Sequence, residues 1–354
     1  MLSKMQINNF KSIESTEINF ASFTFLVGMN SSGKSTVIQS LLLAAQNLAS
    51  QTNNPLNGLL VSLGTFQESR NFITNSKEIE LKIFSENSEE VNIKVEDKNG
   101  KTKAEITNSD SELGKYLNFS NKKIKYLSSH RIGNQDLYSL NYSDITEIGL
   151  LGEFAVDYFE KNKTKPIVTE LIKDKVISST LEAQVNYWLN YILNGEIRTE
   201  NIEGTDSVKA QYKIMNSRFV RPKNVGAGLS YVISLLITLL ASKPGDINII
   251  ENPEIHLHPR AQSRLTEFMV FISTKEVKLI VESHSDHIFN GLRKAIYKGQ
   301  INIEEVSAYY FELDKRSLSQ ITPIEFNNKG KVTYQIPGLF DQFDDDLDVL
   351  LGIN

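Results

Sequence analysis

The chain has 354 residues, 40% of them hydrophobic and 23% charged, a balance that excludes a disordered or fibrous protein. It has no cysteine, which excludes a disulfide scaffold, thiolate zinc and thiol catalysis and fits a reducing compartment. Lys+Arg total 38 against 43 Asp+Glu, a net charge of −5, so there is no whole-chain basic footprint for nucleic acid, although a local basic groove stays open.

The opening MLSKMQINNFKSIES lacks an apolar signal core. The longest apolar run, 231–241, is far short of the ~20 residues a membrane helix needs. A soluble, cytoplasmic protein with no membrane partner is expected. Residues 5–10 and 13–20 alternate partly and read as strands. Residues 23–27 (FTFLV) form a continuous apolar run, the pattern of a buried strand. Residues 35–50 have helical periodicity, and 51–75 suggest no particular shape. Residues 78–107 read as a meander, with alternation over 78–84 and 91–95 and a turn signal at 97–101 (DKNGK). Residues 124–127 are a further short strand. Residues 150–195 read as helical, with Leu181, Val185, Trp188, Leu189 and Ile192 on one stripe, best explained as core.

From 224 a glycine-rich turn opens a long apolar helix over 229–241, which Pro244-Gly245-Asp246 ends. Residues 247–250 and 277–281 are short buried strands. Helices follow at 259–273, with proline in the first turn, and at 286–297. Residues 306–313 and 318–324 read as strands. No internal repeat, low-complexity tract or heptad stretch appears.

Residues 28–35, GMNSSGKS, match G-x-x-x-x-G-K-[ST] between a buried strand and an apolar helix, the context this motif requires. Glycines let backbone N–H groups converge on phosphate oxygens, and the helix adds its positive dipole end. Lys34 is placed to reach the β- and γ-phosphates of ATP, and the Ser35 hydroxyl to ligate Mg²⁺. Two later segments complete the pattern. Asn224 to Ser230 (NVGAGLS) supplies glycines and a serine at a helix start. The strand 247–250 runs into Glu251, and the strand 279–281 into Glu282-Ser283-His284. In a parallel sheet such strand ends share one ligand edge.

On these residues the chain resembles the ABC-type ATPases of the SMC, RecF and OLD branch. INNFKSIE and FLVGMNSSGKST are similar to its first strands and P-loop, NVGAGLS to the ABC signature, IIENPEIHLHPRAQ to an OLD-like Walker B, and VESHSDH to the switch-histidine segment. LNGLLVSLG, LLGEFAVDYF and IPGLFDQFDDDLDVLL further resemble stand-alone bacterial ATPases with a C-terminal domain of unknown function, often found in phage-defence loci. The resemblance implies an α/β fold: a P-loop ATPase head over 1–298, with an antiparallel β lobe at about 75–130 and a helical insertion at about 145–195, then a C-terminal αβ tail segment over 299–354.

It also implies a homodimer that sandwiches two ATP molecules. Asn30, Ser31, Ser32, Gly33, Lys34, Ser35 and Thr36 of one protomer would hold the phosphates. Gly226, Gly228 and Ser230 of the other would face the γ-phosphate, and His284 would sense it. Mg²⁺ would sit at Ser35, with Glu251 acting through water. Where this branch carries a second acidic residue as general base, the chain has Asn252, which cannot accept a proton. Either Glu254 takes that role or hydrolysis is slow, since loss of a base costs ~10²–10⁴ in rate. Arg131 is placed either to reach nucleotide or to pair a carboxylate. His256 and His258 lack a third zinc ligand and read as a loop facing the second protomer. The acidic end, Asp341, Asp344, Asp345, Asp346 and Asp348, reads as a solvated face opposite Leu339, Phe340, Phe343, Leu347 and Leu350.

No long coiled coil separates P-loop and signature, and an acidic nuclease domain after His284 is not expected. The function expected is an ATPase that licenses a separately encoded effector, a nuclease or toxin, in anti-phage defence. The alternative is a RecF-like, DNA-binding repair ATPase, which requires salt-dependent DNA affinity.

Overall fold

In the computed structural model, which describes residues 1–50, 54–174, 176–340 and 342–352, three sheets organise the chain. β1 (Leu2–Phe10) and β2 (Ile13–Asn19) form a hairpin that buries Met5, Ile7 and Ile18. β3 (Phe23–Gly28) is buried along almost its whole length, as its unbroken apolar run requires. α1 (Lys34–Ala49) follows the glycine-rich loop, and a single turn, α2 (Phe66–Ser69), closes the segment whose shape the sequence left open. β4 (Glu78–Ser85), β5 (Glu90–Lys98) and β6 (Lys101–Thr107) make the meander, turning at Asn99-Gly100 with both residues at positive φ. They join the first hairpin in one antiparallel sheet, ordered β2-β1-β4-β5-β6. The β lobe therefore draws two of its strands from the N-terminus, outside the span of about 75–130.

α3 (Glu112–Leu117) leads to β7 (Ile124–Leu127). β8 (Leu137–Ser139), α4 (Ala155–Asn162), α5 (Leu181–Leu193), β9 (Gly195–Asn201) and β10 (Ser207–Ile214) build a smaller unit around the sheet β8-β10-β9. Among the described residues, the region 150–195 is thus α-helical only at α4 and α5, with a 3-10 turn at Thr169–Leu171 between them. Pro166 disfavours helical geometry at Lys165, and Thr180 caps α5 by accepting from the Ala183 amide. The apolar stripe of α5 is buried as expected.

α6 (Gly228–Leu240), β11 (Ile247–Glu251), α7 (Pro259–Ser273), β12 (Lys278–Glu282), α8 (Asp286–Tyr297), β13 (Val306–Leu313), β14 (Ser319–Pro323) and α9 (Gln342–Leu351) complete the chain. The central sheet runs β14-β13-β3-β12-β11-β7, with only β14 antiparallel. Two expectations change here. β7, assigned to the β lobe, pairs with β11 in the central sheet. β13, assigned to a C-terminal tail segment, is the neighbour of β3, so a boundary at 298/299 would cut this sheet.

Alternation along the central strands decides what covers each face. Leu26, Ile249 and Ile280 pack with α1 and the antiparallel sheet, while Phe25, Val27, Ile250 and Val281 pack with α4 to α8. α6 is buried on nearly every side, which is why it is apolar all round. At the C-terminus, Leu339 and Phe340 lie against the core, whereas Leu347 and Leu350 on α9 are exposed. Asp341 and the side chains of Phe343, Asp344 and Asp345 lie outside the described residues. Among the described residues no helix is long and apolar enough to cross a membrane.

Candidate functional site

β3, β12 and β11 end at the same edge of the central sheet, with Glu282 opposite Leu26 on one side and Glu251 on the other. The loop after β3 closes over that edge and leaves a polar cleft of about 400 Å³. Asn30, Ser31, Ser32, Gly33, Lys34, Ser35 and Thr36 line it from one side. Glu251, Asn252, Glu282 and His284 line it from the other.

The loop is held from within. Ser32 Oγ donates to the Met29 carbonyl at 2.6 Å. Lys34 is buried, and its Nζ donates to the carbonyls of Gly28 (3.0 Å) and Met29 (2.5 Å). Burial holds this ammonium below its ordinary pKa, with Glu282 opposing. α1 begins without a side-chain cap, so its first turn faces the cleft as an anion site. Ser35 Oγ donates to Glu282, at 3.0 and 3.1 Å from the two carboxylate oxygens.

The acidic side differs from the expectation. Glu251 Oε2 accepts from the Ser129 amide at 3.0 Å. The carboxylate that Ser35 touches is Glu282, the first acidic residue of VESHSDH, a segment whose resemblance gives a role to His284 alone. Burial first, then the charge of Glu251, pushes the Glu282 carboxyl up to about 7. Glu254 does not line the cleft. Its Oε1 accepts from the His284 amide at 2.9 Å and burial raises its pKa, so it braces the His284 loop from behind. Arg131 does not line the cleft, and among the described residues it feels the charges of Glu254 and Glu251 without a direct ion pair. It is buried, and its guanidinium donates to the carbonyls of Glu251 and Asn252, 2.6 Å each. It thereby fixes the backbone at the end of β11. The partly exposed ring of His284 is pushed below its ordinary pKa by desolvation and by Lys34.

The signature segment also divides. Gly226 is exposed at the open start of α6, where no side chain caps the helix. Gly228 is buried; a Cβ there would stand 2.7 Å from the His256 carbonyl oxygen. Ser230, expected to face a second protomer, is turned inward, its hydroxyl donating to Asn134 Oδ1 at 2.6 Å and lying 3.2 Å from the Tyr212 hydroxyl. His256 packs against Tyr231, and His258 caps α7 by accepting from the Arg260 amide.

Lys11, Gln39 and Ser129 line the cleft as well and were not singled out from sequence. Lys11 Nζ donates to Gln39 Oε1 at 2.6 Å. The hairpin of β1 and β2 brings Lys11 there; it lies within INNFKSIE, a segment that resembles the first strands of the branch and carries no site role there. Glu282 did carry a signal: it ends an apolar strand as Glu251 does, so parallel register sets the two side by side.

This donor set fits a nucleotide with a hard cation. It combines an uncapped helix start, a buried lysine, and a hydroxyl beside a carboxylate. Among the described residues no three His, Asp or Glu side chains converge as a self-sufficient metal site. A cation would therefore rely on phosphate and water oxygens as well, as Mg²⁺ characteristically does.

The raised Glu282 carboxyl has a consequence for stability. Without cation or nucleotide, the folded chain holds a proton that the unfolded chain releases above about 4.5. Stability is therefore lost as pH rises from about 4.5 to about 7, by roughly 3 kcal/mol in all. Glu282→Gln is expected to melt above the wild type at pH 8, with the gap closing towards pH 5; thermal unfolding at the two pH values checks this.

The model of the family described as "AAA domain, putative AbiEii toxin, Type IV TA system" matches residues 23–290. No curated protein matches the chain. Among solved structures, it is similar to an SMC head bound to the C-terminal winged-helix domain of ScpA, with 16% identity, a TM-score of 0.52, and 92% of this chain and 97% of that one covered. It is also similar to an SMC head with an extended coiled coil bound to the C-terminal domain of ScpA, derived from Pyrococcus furiosus, with 13% identity, a TM-score of 0.54 and 99% of each chain covered. These likenesses show the fold, an α/β P-loop ATPase head. The chain is a member of the AAA-domain family whose model spans its P-loop, both cleft carboxylates and His284.

Proposed function

We propose that the chain binds Mg-ATP in this cleft, closes with a second copy of itself around the nucleotide, and hydrolyses it slowly. Through that cycle it licenses a separately encoded nuclease or toxin in anti-phage defence. The observation that carries the ATP reading is the convergence of Lys34, Ser35, Glu251, Glu282 and His284 on one polar cleft at the ends of parallel strands. Lys34 and the first turn of α1 bind the phosphates. Ser35 and a cleft carboxylate hold the cation, which when bound would neutralise charge on the transferred phosphoryl group.

Slow turnover is supported by Asn252, whose amide cannot act as base, and by the withdrawal of Glu254 behind His284. Closure with a second copy is supported by exposed Gly226 at the open start of α6, an anion site facing outward. An assembly of this kind is bistable, because hydrolysis removes the group that both halves hold. The effector reading is supported by the family's toxin–antitoxin description and by the ScpA domains that the two SMC heads carry.

Light scattering tests the cycle. Mg-ATP is expected to double the solution mass of the wild type and to leave Lys34→Ala unchanged. A mass indifferent to ATP would remove the dimerisation step.

A further inference from the structure

The Glu282 carboxylate meets the Ser35 hydroxyl in the cleft. Both its oxygens are within hydrogen-bond distance of Ser35 Oγ, at 3.0 and 3.1 Å. Adjacent oxygens of an octahedral shell at the Mg²⁺ ligand distance of about 2.0–2.1 Å stand about 2.9 Å apart. The hydroxyl and the carboxylate therefore already have the spacing of neighbouring ligands. The side chain is also rigidly placed. β12 is buried between β3 and β11, and Glu282 is 5% exposed at its end. Glu251, at the matching position of β11, has one oxygen committed to the Ser129 amide.

We propose that Glu282, rather than Glu251, is the carboxylate that holds the divalent cation beside Ser35, with Glu251 one shell further out. This rests on the ATP reading above. It assigns the two acidic strand ends different work. Glu282 supplies charge to the cation, and Glu251 ties the end of β7 to the cleft through Ser129. The register that pairs Glu251 with Glu282 makes the division economical, since a single parallel ladder sets both groups.

The test uses the full chain as wild type, Glu282→Gln, Glu282→Asp and Glu251→Gln. Each is titrated with a fluorescent ATP analogue in EDTA, then with Mn²⁺, whose binding is counted by electron paramagnetic resonance. Circular dichroism shows that each variant is folded, and metal-free analogue binding in Glu282→Gln is the reference against which its Mn²⁺ dependence is read. The Mn²⁺ concentration for half-saturation is expected to rise by more than about 100-fold in Glu282→Gln, beyond the ~10–100-fold typical when a group that only orients a ligand is lost. Glu282→Asp should recover part of that loss, and Glu251→Gln should shift it by about 10-fold, the lower end for a group one shell out. Wild-type Mn²⁺ affinity in Glu282→Gln, or a larger loss in Glu251→Gln, would overturn the assignment. Loss of metal-free binding in Glu282→Gln, with the fold intact by circular dichroism, would overturn it too. A wild type that binds no analogue at all would instead remove the ATP reading beneath it.

Discussion

Asn252→Glu is expected to raise the ATP turnover of this chain by about 10²-fold, the lower end of what a general base contributes. Asn252 follows Glu251 at the end of β11 and lines the cleft. Its backbone is held on both sides: the amide donates to the Glu282 carbonyl at 2.8 Å, and its own carbonyl accepts from Arg131 at 2.6 Å. Its side-chain Oδ1 is buried with no hydrogen-bond partner among the described residues. A glutamate there adds a proton acceptor without moving the chain that positions it. Two costs keep the gain at the lower end. Asn252 has φ 43, in the left-handed region, where a residue other than Gly, Asn or Asp costs about 1–2 kcal/mol. The new charge also joins Glu251 and Glu282 in one cleft. Phosphate release under single-turnover conditions measures the effect, with Asn252→Gln as the control of equal size and no basicity. Equal rates in the Glu and Gln variants would show that the missing base does not limit turnover.

Gly28→Ala is expected to cost at least about 4 kcal/mol of stability, among the largest effects of single substitutions, and to lower the melting temperature by on the order of 10 °C. Gly28 has φ +142, and a Cβ there would stand 2.1 Å from the Phe311 carbonyl oxygen and 2.7 Å from the Phe311 nitrogen. Both atoms belong to the backbone of β13, which pairs with β3 in register at this position. No side chain can rotate away. Either β13 separates from β3 or the phosphate loop is displaced, and each outcome breaks the central sheet at its ligand edge. Gly204→Ala is the matched control, since its φ is +74 but its surroundings are open. It should cost only the left-handed strain, about 1–2 kcal/mol. Similar melting of the two variants would mean that the approach of β13 does not constrain the loop.

The phosphate loop, the strands that precede Glu251 and Glu282, and the helices that follow them were legible from sequence because each is a local pattern. An unbroken apolar run marks β3, helical periodicity marks α1, and proline marks the first turn of α7. Glycine spacing marks the loop whatever surrounds it. Part of the cleft's lining was legible to the same depth: Lys34 and Ser35 follow from the motif, and Asn252 from its place after Glu251.

Non-local pairing decided the rest. Strand β7 looks like the meander strands before it, and only its partner β11 places it in the central sheet. Strand β13 comes after every site motif, yet it lies against β3 and forces glycine at position 28. Side-chain direction belongs to the same class. Sequence places Ser230 at a helix start but does not say that its hydroxyl turns to Asn134, nor that Arg131 spends its guanidinium on two carbonyls. Local patterns determine which residues can bind phosphate, because backbone conformation and burial over a few residues follow from nearby chemistry. Which carboxylate meets Ser35 depends on sheet register over a separation of 247 residues, and no local pattern carries that information.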